Sequence, residues 1–383
     1  SPNDASSDTH WYRADFDHFL VQEAQRLGVD YVDEAGLRQF SESADEVLLE
    51  GPRCAFRARF VVDATGPRGF LNRALGLGEL PLPEFPDTHG LYSHFSGVGR
   101  LADLPEFQSE EAPPYPIDDA AVHHVFDGGW VWVLRFNNGI TSAGVAATDH
   151  VAARLRFSEG GGAWGRLLDL IPALRDQFAV ARTERPFTHI PRLSFRSGAI
   201  TGGHWALLPS AAGFVDPLLS TGFPLTLLGV ARLAEMLELG WSAERLTAYA
   251  GQTERELLAA ARLISGLYAN MGNFAAFVSI SLLYFAAVSY SETVRRLSKP
   301  HLASSFLLCD SPFGEACREL LARAHSDEDV LSLIEPINVA GLGKPERRNW
   351  YPVDARDLLD AAVKLGAAKD EIAELLRRCG FGG

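Results

Sequence analysis

The residues of this chain best placed to do chemistry lie between positions 205 and 222, in the string WALLPSAAGFVDPLLSTG. Its opening apolar residues predict a short strand that stops at Pro209, and the small residues after it predict a tight turn. The leucines beyond Gly222 recur at helical spacing, with Ser220 and Thr221 as candidate N-cap residues. Small residues let the backbone approach a ligand closely, and a helix N-terminus offers free N–H groups. The stretch therefore predicts a place for an electron-rich or anionic group, and the alternative is an ordinary strand-to-helix turn.

The elements before this stretch are predicted to be one helix and three strands. The helix covers residues 11–28, with apolar side chains on one face and Gly28 at its end. The strands cover 29–32, 46–49 and 56–62. The last of them runs directly into the sequence Asp63-Ala64-Thr65-Gly66, which is a second turn of small residues.

An antiparallel sheet is predicted in the middle of the chain, because short apolar runs alternate with glycine-containing turns. Its runs are 91–95, 122–126, 130–136 and 140–146. Alternation places Trp130 and Trp132 on one face of the sheet and Val131 and Val133 on the other. A helical segment over 151–178 and a strand over 188–195 then lead back to the stretch described first.

The C-terminal part is predicted to be helical. The predicted helices are 254–271, 274–297, 314–324 and 355–378, and a proline-bearing loop covers 335–352. Aromatic side chains in the first two could line a pocket for an aromatic or acyl-like substrate, and core packing explains them equally well. The most apolar run, 274–288, is shorter than the roughly 20 residues of a membrane span and is predicted to be a buried helix.

Composition excludes several classes of partner. The 383 residues carry a formal net charge of -14, with 49 acidic and 35 basic side chains, which disfavours nucleic acid and anionic membranes. The four cysteines show no metal-ligand spacing and are predicted to be free thiols in a cytoplasmic protein. They are Cys54, Cys309, Cys317 and Cys379.

The stretch 205–222 resembles the second FAD-contacting motif of flavin monooxygenases and flavin-dependent halogenases, G-D-A-A-G-x-x-D-P-x-x-S-x-G. The matching positions are Ala211, Ala212, Gly213, Asp216, Pro217, Thr221 and Gly222. In that family the Asp-Pro pair and the following helix N-terminus lie against the isoalloxazine ring. The motif's Gly-Asp pair is Pro209-Ser210 here, and a serine hydroxyl lacks the charge and reach of a carboxylate.

Three further segments resemble the same family in order. The helix pattern R-x-x-F-D-x-x-L begins at Arg13, which the resemblance places at the flavin's phosphate or ribityl region; a surface arginine is the alternative. The sequence at 63–66 resembles the D-A-T-G turn near the adenosine diphosphate half of FAD. The string WVWVLR at 130–135 is similar to the W-x-W-x-I-P of halogenases, with Arg135 replacing the proline.

The family's opening strand and G-x-G-x-x-G turn do not occur before Arg13. The string 160–165 fits that expression, but charged residues precede it instead of a hydrophobic strand, so it is predicted to be a loop. We expect a longer parent protein that carries the missing turn upstream. The alternative is a chain that does not hold FAD in the usual way.

The resemblance implies a mixed α/β fold: an FAD-binding three-layer ββα flavoprotein fold that is incomplete at its N-terminus. The expected division is an FAD-binding part over 1–80, a substrate-domain antiparallel sheet over 81–195, a returning FAD-binding part over 196–247 and a helical C-terminal domain over 248–383.

The resemblance also implies the site residues. FAD contacts are expected from Arg13, Asp63, Thr65, Gly66, Ser210, Ala211, Gly213, Asp216, Pro217 and Gly222. Halide is expected on the backbone N–H groups of Thr221 and Gly222, and Trp130 and Trp132 are expected to line the substrate pocket, unless they are core residues of the sheet. No metal site is expected. The family's catalytic lysine lies in the N-terminal part that this chain lacks, so no catalytic residue is assigned.

The implied activity is that of an FAD-dependent oxidoreductase of secondary metabolism, which uses reduced flavin and oxygen to halogenate or oxidise a small aromatic or carrier-bound substrate. Leu219 stands where tryptophan halogenases have a glutamate, and it cannot act as an acid or base, which disfavours a tryptophan-type enzyme. A monooxygenase or reductase without halide chemistry and a non-catalytic remnant are the alternatives. The sequence leaves open the substrate, the need for a separate flavin reductase and the oligomeric state.

Overall fold

A computed structural model of the chain describes residues 10–108, 116–323, 326–343 and 355–378. Its helices are α1 (Arg13–Arg26), α2 (Phe70–Ala74), α3 (Asp149–Leu155), α4 (Gly161–Leu170), α5 (Pro172–Gln177), α6 (Pro209–Ala212), α7 (Gly222–Glu238), α8 (Ala243–Ala269), α9 (Phe274–Arg296), α10 (Pro312–Leu321), α11 (Asp327–Ile334), α12 (Ala355–Asp360) and α13 (Lys369–Arg378). Its strands are β1 (Gln39–Glu42), β2 (Val47–Glu50), β3 (Ala55–Ala58), β4 (Val61–Asp63), β5 (Thr88–Ser96), β6 (Val122–Phe126), β7 (Gly129–Arg135), β8 (Thr141–Thr148), β9 (Arg182–Thr183), β10 (Thr188–Ile190), β11 (Phe195–Arg196), β12 (Trp205–Leu207) and β13 (Gly213–Phe214).

The largest sheet is antiparallel, in the order β10-β5-β8-β7-β6, and β9 also pairs with β5. The predicted meander is confirmed, because the turns around Gly128 and Gly139 adopt the positive φ angles that glycine accepts, 76° and 81°. Trp130 packs on one face with α8 and α9, whereas Val131 and Val133 pack on the other face with α3, α4 and α5. The predicted alternation of faces is therefore confirmed.

A second layer joins β4 and β12 as a parallel pair, with Asp63 opposite Leu207. The predicted strand 56–62 is wrong as a single strand, because the chain leaves β3 at Ala58 and enters β4 at Val61 in a different sheet. Residues 29–32 form no strand, whereas β1, which was not predicted, pairs with β2 and β3 in an antiparallel sheet.

The helical layer packs against the tryptophan face of the large sheet. Its centre is α8, which buries Ala260, Ile264 and Leu267 completely and begins earlier than predicted, at Ala243. The single helix predicted over 355–378 is two helices, α12 and α13. Part of the predicted loop 335–352 lies outside the described residues.

Helix α9 is longer than the apolar run that the sequence indicated. It has 23 residues and a mean hydropathy of 1.7 over its most apolar window, so it is long and apolar enough to cross a membrane by length and composition alone. Half of that window is buried within the protein, and the helix packs against α8 and α11. A core helix passes the same test, so this observation is weak evidence for a membrane span.

One expectation about a loop and one about a strand are also wrong. The predicted loop at 160–165 contains the start of α4, which follows a short 3₁₀ turn and not a strand. The apolar residues predicted on one face of α1 include Phe19, Leu20 and Leu27, which are exposed, and the helix ends before Gly28 as expected. Strand 188–195 is likewise divided, into β10 and β11.

Candidate functional site

The carboxylate of Asp216 is the hub of the turn that precedes α7. Its Oδ1 accepts hydrogen bonds from Trp130 Nε1 at 3.1 Å and from the Leu218 N–H at 2.9 Å. Its Oδ2 accepts one from the Tyr268 hydroxyl at 2.9 Å. The side chain is buried, and desolvation raises the pKa of Asp216 to about 6. Because the carboxylate takes its partners from β7, α8 and its own turn, it fixes the backbone of the turn and does not point toward a ligand.

The turn that Asp216 holds is strained. Leu219 has φ 59° and ψ 11°, and Ser220 has φ 51°, so two consecutive residues with side chains adopt left-handed conformations. Such conformations cost about 1–3 kcal/mol each and persist where the surroundings over-determine them. Two hydrogen bonds hold the turn in this conformation. The Leu218 N–H donates to the Asp216 carboxylate, and the Ser220 N–H donates to the Pro217 carbonyl at 3.0 Å.

The strained turn presents the N-terminus of α7. The first helical hydrogen bond runs from the Leu225 N–H to the Thr221 carbonyl, so the amides of Thr221, Gly222 and Phe223 have no acceptor inside the helix. Thr221 is the N-cap residue, as predicted, but its side chain makes no cap hydrogen bond. A left-handed residue followed by a right-handed one can make a concave arrangement of amides that suits an anion. This is the part of the site that can bind a negative group.

The second turn, at the end of β4, is held by Asp63. One oxygen of this carboxylate accepts from the Thr65 N–H at 2.7 Å and from the Thr65 hydroxyl at 2.6 Å, and the other accepts from the Leu71 N–H at 2.7 Å. Both predicted side chains therefore hold the turn itself. Gly66 has φ 80° and open space where a Cβ would be, so its backbone is the part that a ligand can approach.

The Asp63 turn and α6 lie at the same edge, because they follow β4 and β12, which are parallel, and the carboxyl ends of parallel strands meet. Asn72, which sequence reasoning missed, ties them together by donating to the Ala211 carbonyl at 3.2 Å. Ser210 and Ala211 lie in α6, where the sequence predicted a turn. The Ser210 hydroxyl makes no hydrogen bond to any described residue, so it is available to a ligand.

Two of the predicted site residues make contacts within the protein that the sequence did not indicate. Arg13 is exposed on α1 and forms an ion pair with Asp17 at 2.7 Å. Gly213 is required for packing, because a Cβ there would lie 2.1 Å from Leu257 Cδ2. The N-terminus of α1 nevertheless lies beside that of α7, since the rings of Trp11 and Phe223 are 5.2 Å apart.

The two tryptophans differ in their surroundings. Trp130 is 1% exposed and lies in the core, which is the alternative that the sequence left open, and its indole holds Asp216. Trp132 is half-buried; its Nε1 donates to Ser142 Oγ at 3.3 Å, and its ring lies over Gly144. Tyr268 was noted in the sequence only as one of many aromatic residues of the C-terminal helices, and no local signal indicates its bond to Asp216.

Among the described residues are several groups that FAD could contact. The amides at the start of α7 and the Ser210 hydroxyl could contact the flavin and its ribityl chain, and the open backbone at Gly66 could contact the adenosine diphosphate half. Among residues 10–108, 116–323, 326–343 and 355–378, no glycine-rich turn joins a strand to a helix in the way that a pyrophosphate requires. No group of His, Cys, Asp or Glu side chains in those ranges could hold a metal ion.

Comparison with curated proteins finds halogenases. The chain is 31% identical over 270 residues to the tetracycline 7-halogenase of Kitasatospora aureofaciens, a match that covers 67% of this chain and 48% of that protein. It is 29% identical over 245 residues to the monodechloroaminopyrrolnitrin halogenase PrnC of Pseudomonas fluorescens, covering 60% of this chain and 41% of that protein. The chain thus spans about half the length of these relatives. No family model matches it.

Comparison with solved structures finds the same fold. The structure of halogenase PltM in complex with phloroglucinol and FAD superposes with a TM-score of 0.67 at 21% identity, covering 97% of this chain and 73% of that chain. The flavin-dependent brominase Bmp2 superposes with a TM-score of 0.57 at 19% identity, covering 96% and 76%. At these identities the likeness shows the fold.

Proposed function

Because this chain belongs to the superfamily of flavin-dependent halogenases and FAD-dependent monooxygenases, we propose that it halogenates a small aromatic substrate with reduced flavin and oxygen. The observation that carries the proposal is the strained turn before α7, which holds bare backbone amides at a helix N-terminus. A helix N-terminus stabilises an anion through its N–H groups and its dipole, and halide is an anion without protons to donate.

In this proposal Thr221 and Gly222 bind halide through their amides, and Asp216 keeps those amides in place through Leu218. Ser210, Gly66 and the backbone of α6 would hold FAD, and Arg13 would reach its phosphate or ribityl region after releasing Asp17. Bound FAD supplies the electrons that activate oxygen, which no side chain can do. The chain's own contribution is to position halide and substrate and to exclude water.

The substrate class follows from the relatives' chemistry. Tetracycline 7-halogenase and two 1H-pyrrole-2-carbonyl-[peptidyl-carrier protein] halogenases are among the curated relatives, so we propose an electron-rich aromatic ring, free or carrier-bound. Trp132, half-buried on the sheet face toward the helices, is the proposed wall of the substrate pocket. A separate flavin reductase as partner and a cytoplasmic location complete the proposal.

The test is the mass of the product with and without halide. The full-length gene product is loaded with FAD, supplied with NADH and a flavin reductase, and given phenols and pyrrole-2-carbonyl thioesters in chloride, in bromide and in halide-free buffer. Halogenated products that change with the halide support the proposal. Hydroxylated products in all three buffers, or no release of flavin on denaturation, overturn it.

A variant then tests the turn. Asp216→Asn should raise the halide concentration needed for half-maximal rate several-fold, because a neutral amide holds the Leu218 N–H less strongly than a carboxylate does. Asp169→Asn, the same change at an exposed position of α4, is the matched control and should leave that concentration unaltered. An unchanged halide dependence in a folded Asp216→Asn protein would contradict the role given to the turn.

A further inference from the structure

A cavity of about 170 Å³ lies in the C-terminal helical layer, between α8, α9, α10 and the turn at 306–309. Its walls are mostly aliphatic and aromatic. Leu258, Leu263, Leu283, Leu307, Phe313 and Leu321 contribute these walls. An apolar cavity of about 150 Å³ accommodates benzene, so the space here suits a single aromatic ring.

One cation that lines the cavity has no partner among the residues that the structure describes. Arg255, Arg262 and Arg318 line it, and two of them are engaged: Arg255 bonds Asp310 at 3.0 Å, and Arg318 bonds Glu315 at 3.0 Å. Arg262 is half-buried and makes no hydrogen bond or ion pair with any described residue. A partly buried guanidinium favours a planar, bidentate anion such as a carboxylate.

One wall of the cavity is a second strained turn. Leu307 has φ 54° and ψ 20°, and Leu308 has φ 53°, so two consecutive leucines adopt left-handed conformations. Non-glycine residues in such conformations concentrate at ligand sites. The turn is fastened by the fully buried Glu256, whose Oε1 accepts from the Phe306 N–H at 2.7 Å while both of its oxygens bind Arg232 at 2.7 Å. Leu307 is thereby held in the cavity wall.

Two thiols complete the lining. Cys309 and Cys317 are free and partly buried, and desolvation raises the pKa of Cys309 to about 11 and that of Cys317 to about 12. Both are therefore neutral near pH 7 and do not repel an anion. The cavity combines apolar walls, neutral thiols and one positive charge that no described residue pairs.

We propose that this cavity is a binding site for a small aromatic carboxylate, with the ring among the leucines and Phe313 and the carboxylate on Arg262. The site is separate from the Asp216 turn, because residues 255, 258, 259 and 262 form one face of α8, whereas Tyr268 reaches Asp216 from another. It does not depend on the function proposed above.

Benzoate is the probe, and its binding to the full-length protein is measured by isothermal titration calorimetry. Arg262→Met keeps an unbranched apolar stem but removes the guanidinium and its charge, and it should weaken benzoate binding at least tenfold. Arg318→Met removes a charge from the same cavity that is already paired with Glu315, and it should change binding less than twofold. Equal effects of the two substitutions, or no saturable binding of benzoate, would overturn the proposal.

A second measurement locates the ligand. Saturating benzoate should slow the reaction of Cys309 and Cys317 with a neutral maleimide severalfold, as read from their peptides by mass spectrometry, while Cys54 reacts at the same rate with and without benzoate. Benzyl alcohol, which has the ring but no charge, should bind the wild-type and the Arg262→Met proteins equally. Protection of Cys54 alone, or a loss of benzyl alcohol binding in Arg262→Met, would place the ligand elsewhere.

Discussion

The indole of Trp130 donates its N–H to the carboxylate of Asp216 at 3.1 Å, across 86 positions of sequence. This bond joins the large antiparallel sheet to the turn that begins α7. Both groups are buried, so the indole N–H depends on this carboxylate for its hydrogen bond. The pair therefore couples the stability of the sheet to the geometry of the candidate anion site.

Removing the indole N–H should destabilise the protein. Trp130→Phe leaves Asp216 without one of its donors and should lower the free energy of unfolding by about 1.5–3 kcal/mol, the range for a hydrogen bond to a charged group. Trp132→Phe is the matched control, because the half-buried Trp132 donates its N–H only to the neutral hydroxyl of Ser142. It should cost about 1 kcal/mol. Urea denaturation of both variants checks this, and equal losses would argue against Asp216 as the hub.

The raised pKa of Asp216 predicts the direction of a pH effect. The folded protein takes up a proton at about pH 6, whereas the unfolded chain does so near 3.8. Stability from this group is therefore fully present below pH 3.8 and is lost as pH rises through about 6. The difference in unfolding free energy between wild type and Asp216→Asn should shift by about 2–2.5 kcal/mol between pH 4 and pH 8, in favour of the wild type at low pH. A difference that stays flat across this range would show that the carboxylate is not desolvated.

Substitution by alanine should affect stability differently at Gly213 and Gly222, two glycines of the motif at 205–222. Gly213→Ala places a Cβ 2.1 Å from Leu257 Cδ2 and should cost about 1–3 kcal/mol from overpacking. Gly222→Ala places a Cβ 3.8 Å from the Phe214 ring, an ordinary contact, and should be neutral or slightly stabilising at the start of a helix. Thermal unfolding of the two variants distinguishes a glycine that close packing requires from a glycine whose position has room for a side chain. Equal losses would mean that Gly222 also has a steric role.

The strained turn before α7 can be relaxed at Ser220. This residue is exposed and has φ 51°, so Ser220→Gly should raise the free energy of unfolding by about 0.5–1 kcal/mol. Ser220→Ala retains the strain and should not be stabilising. Denaturant titration measures both changes. If Ser220→Gly destabilised the protein instead, the hydroxyl and not the backbone would be the important feature of this position.

The sequence predicted those parts of the fold that depend on residues close together in the chain. The meander of β6, β7 and β8 follows from alternating apolar residues and from glycines at its turns, and the opposite faces of Trp130 and Val131 follow from the pleat. The sequence predicts one continuous strand over 56–62, because apolar residues recur from Phe56 to Val62. The change of sheet after Ala58 depends on the pairing of β4 with β12, which is distant in sequence.

The amino-acid sequence by itself determined the sheet faces, the order of the helices and the segment that begins α7, because these depend on residue types a few positions apart. Only the tertiary structure decided that Asp216 turns inward to Trp130 and Tyr268, and that α1 leaves Phe19 and Leu20 exposed. It also decided that Arg262 lines a mostly apolar cavity without a partner among the described residues. Those outcomes depend on which distant side chains meet in the packed core. Such pairs form because buried polar groups require hydrogen-bond partners. The spacing of residues along the chain does not indicate which distant residues will pair.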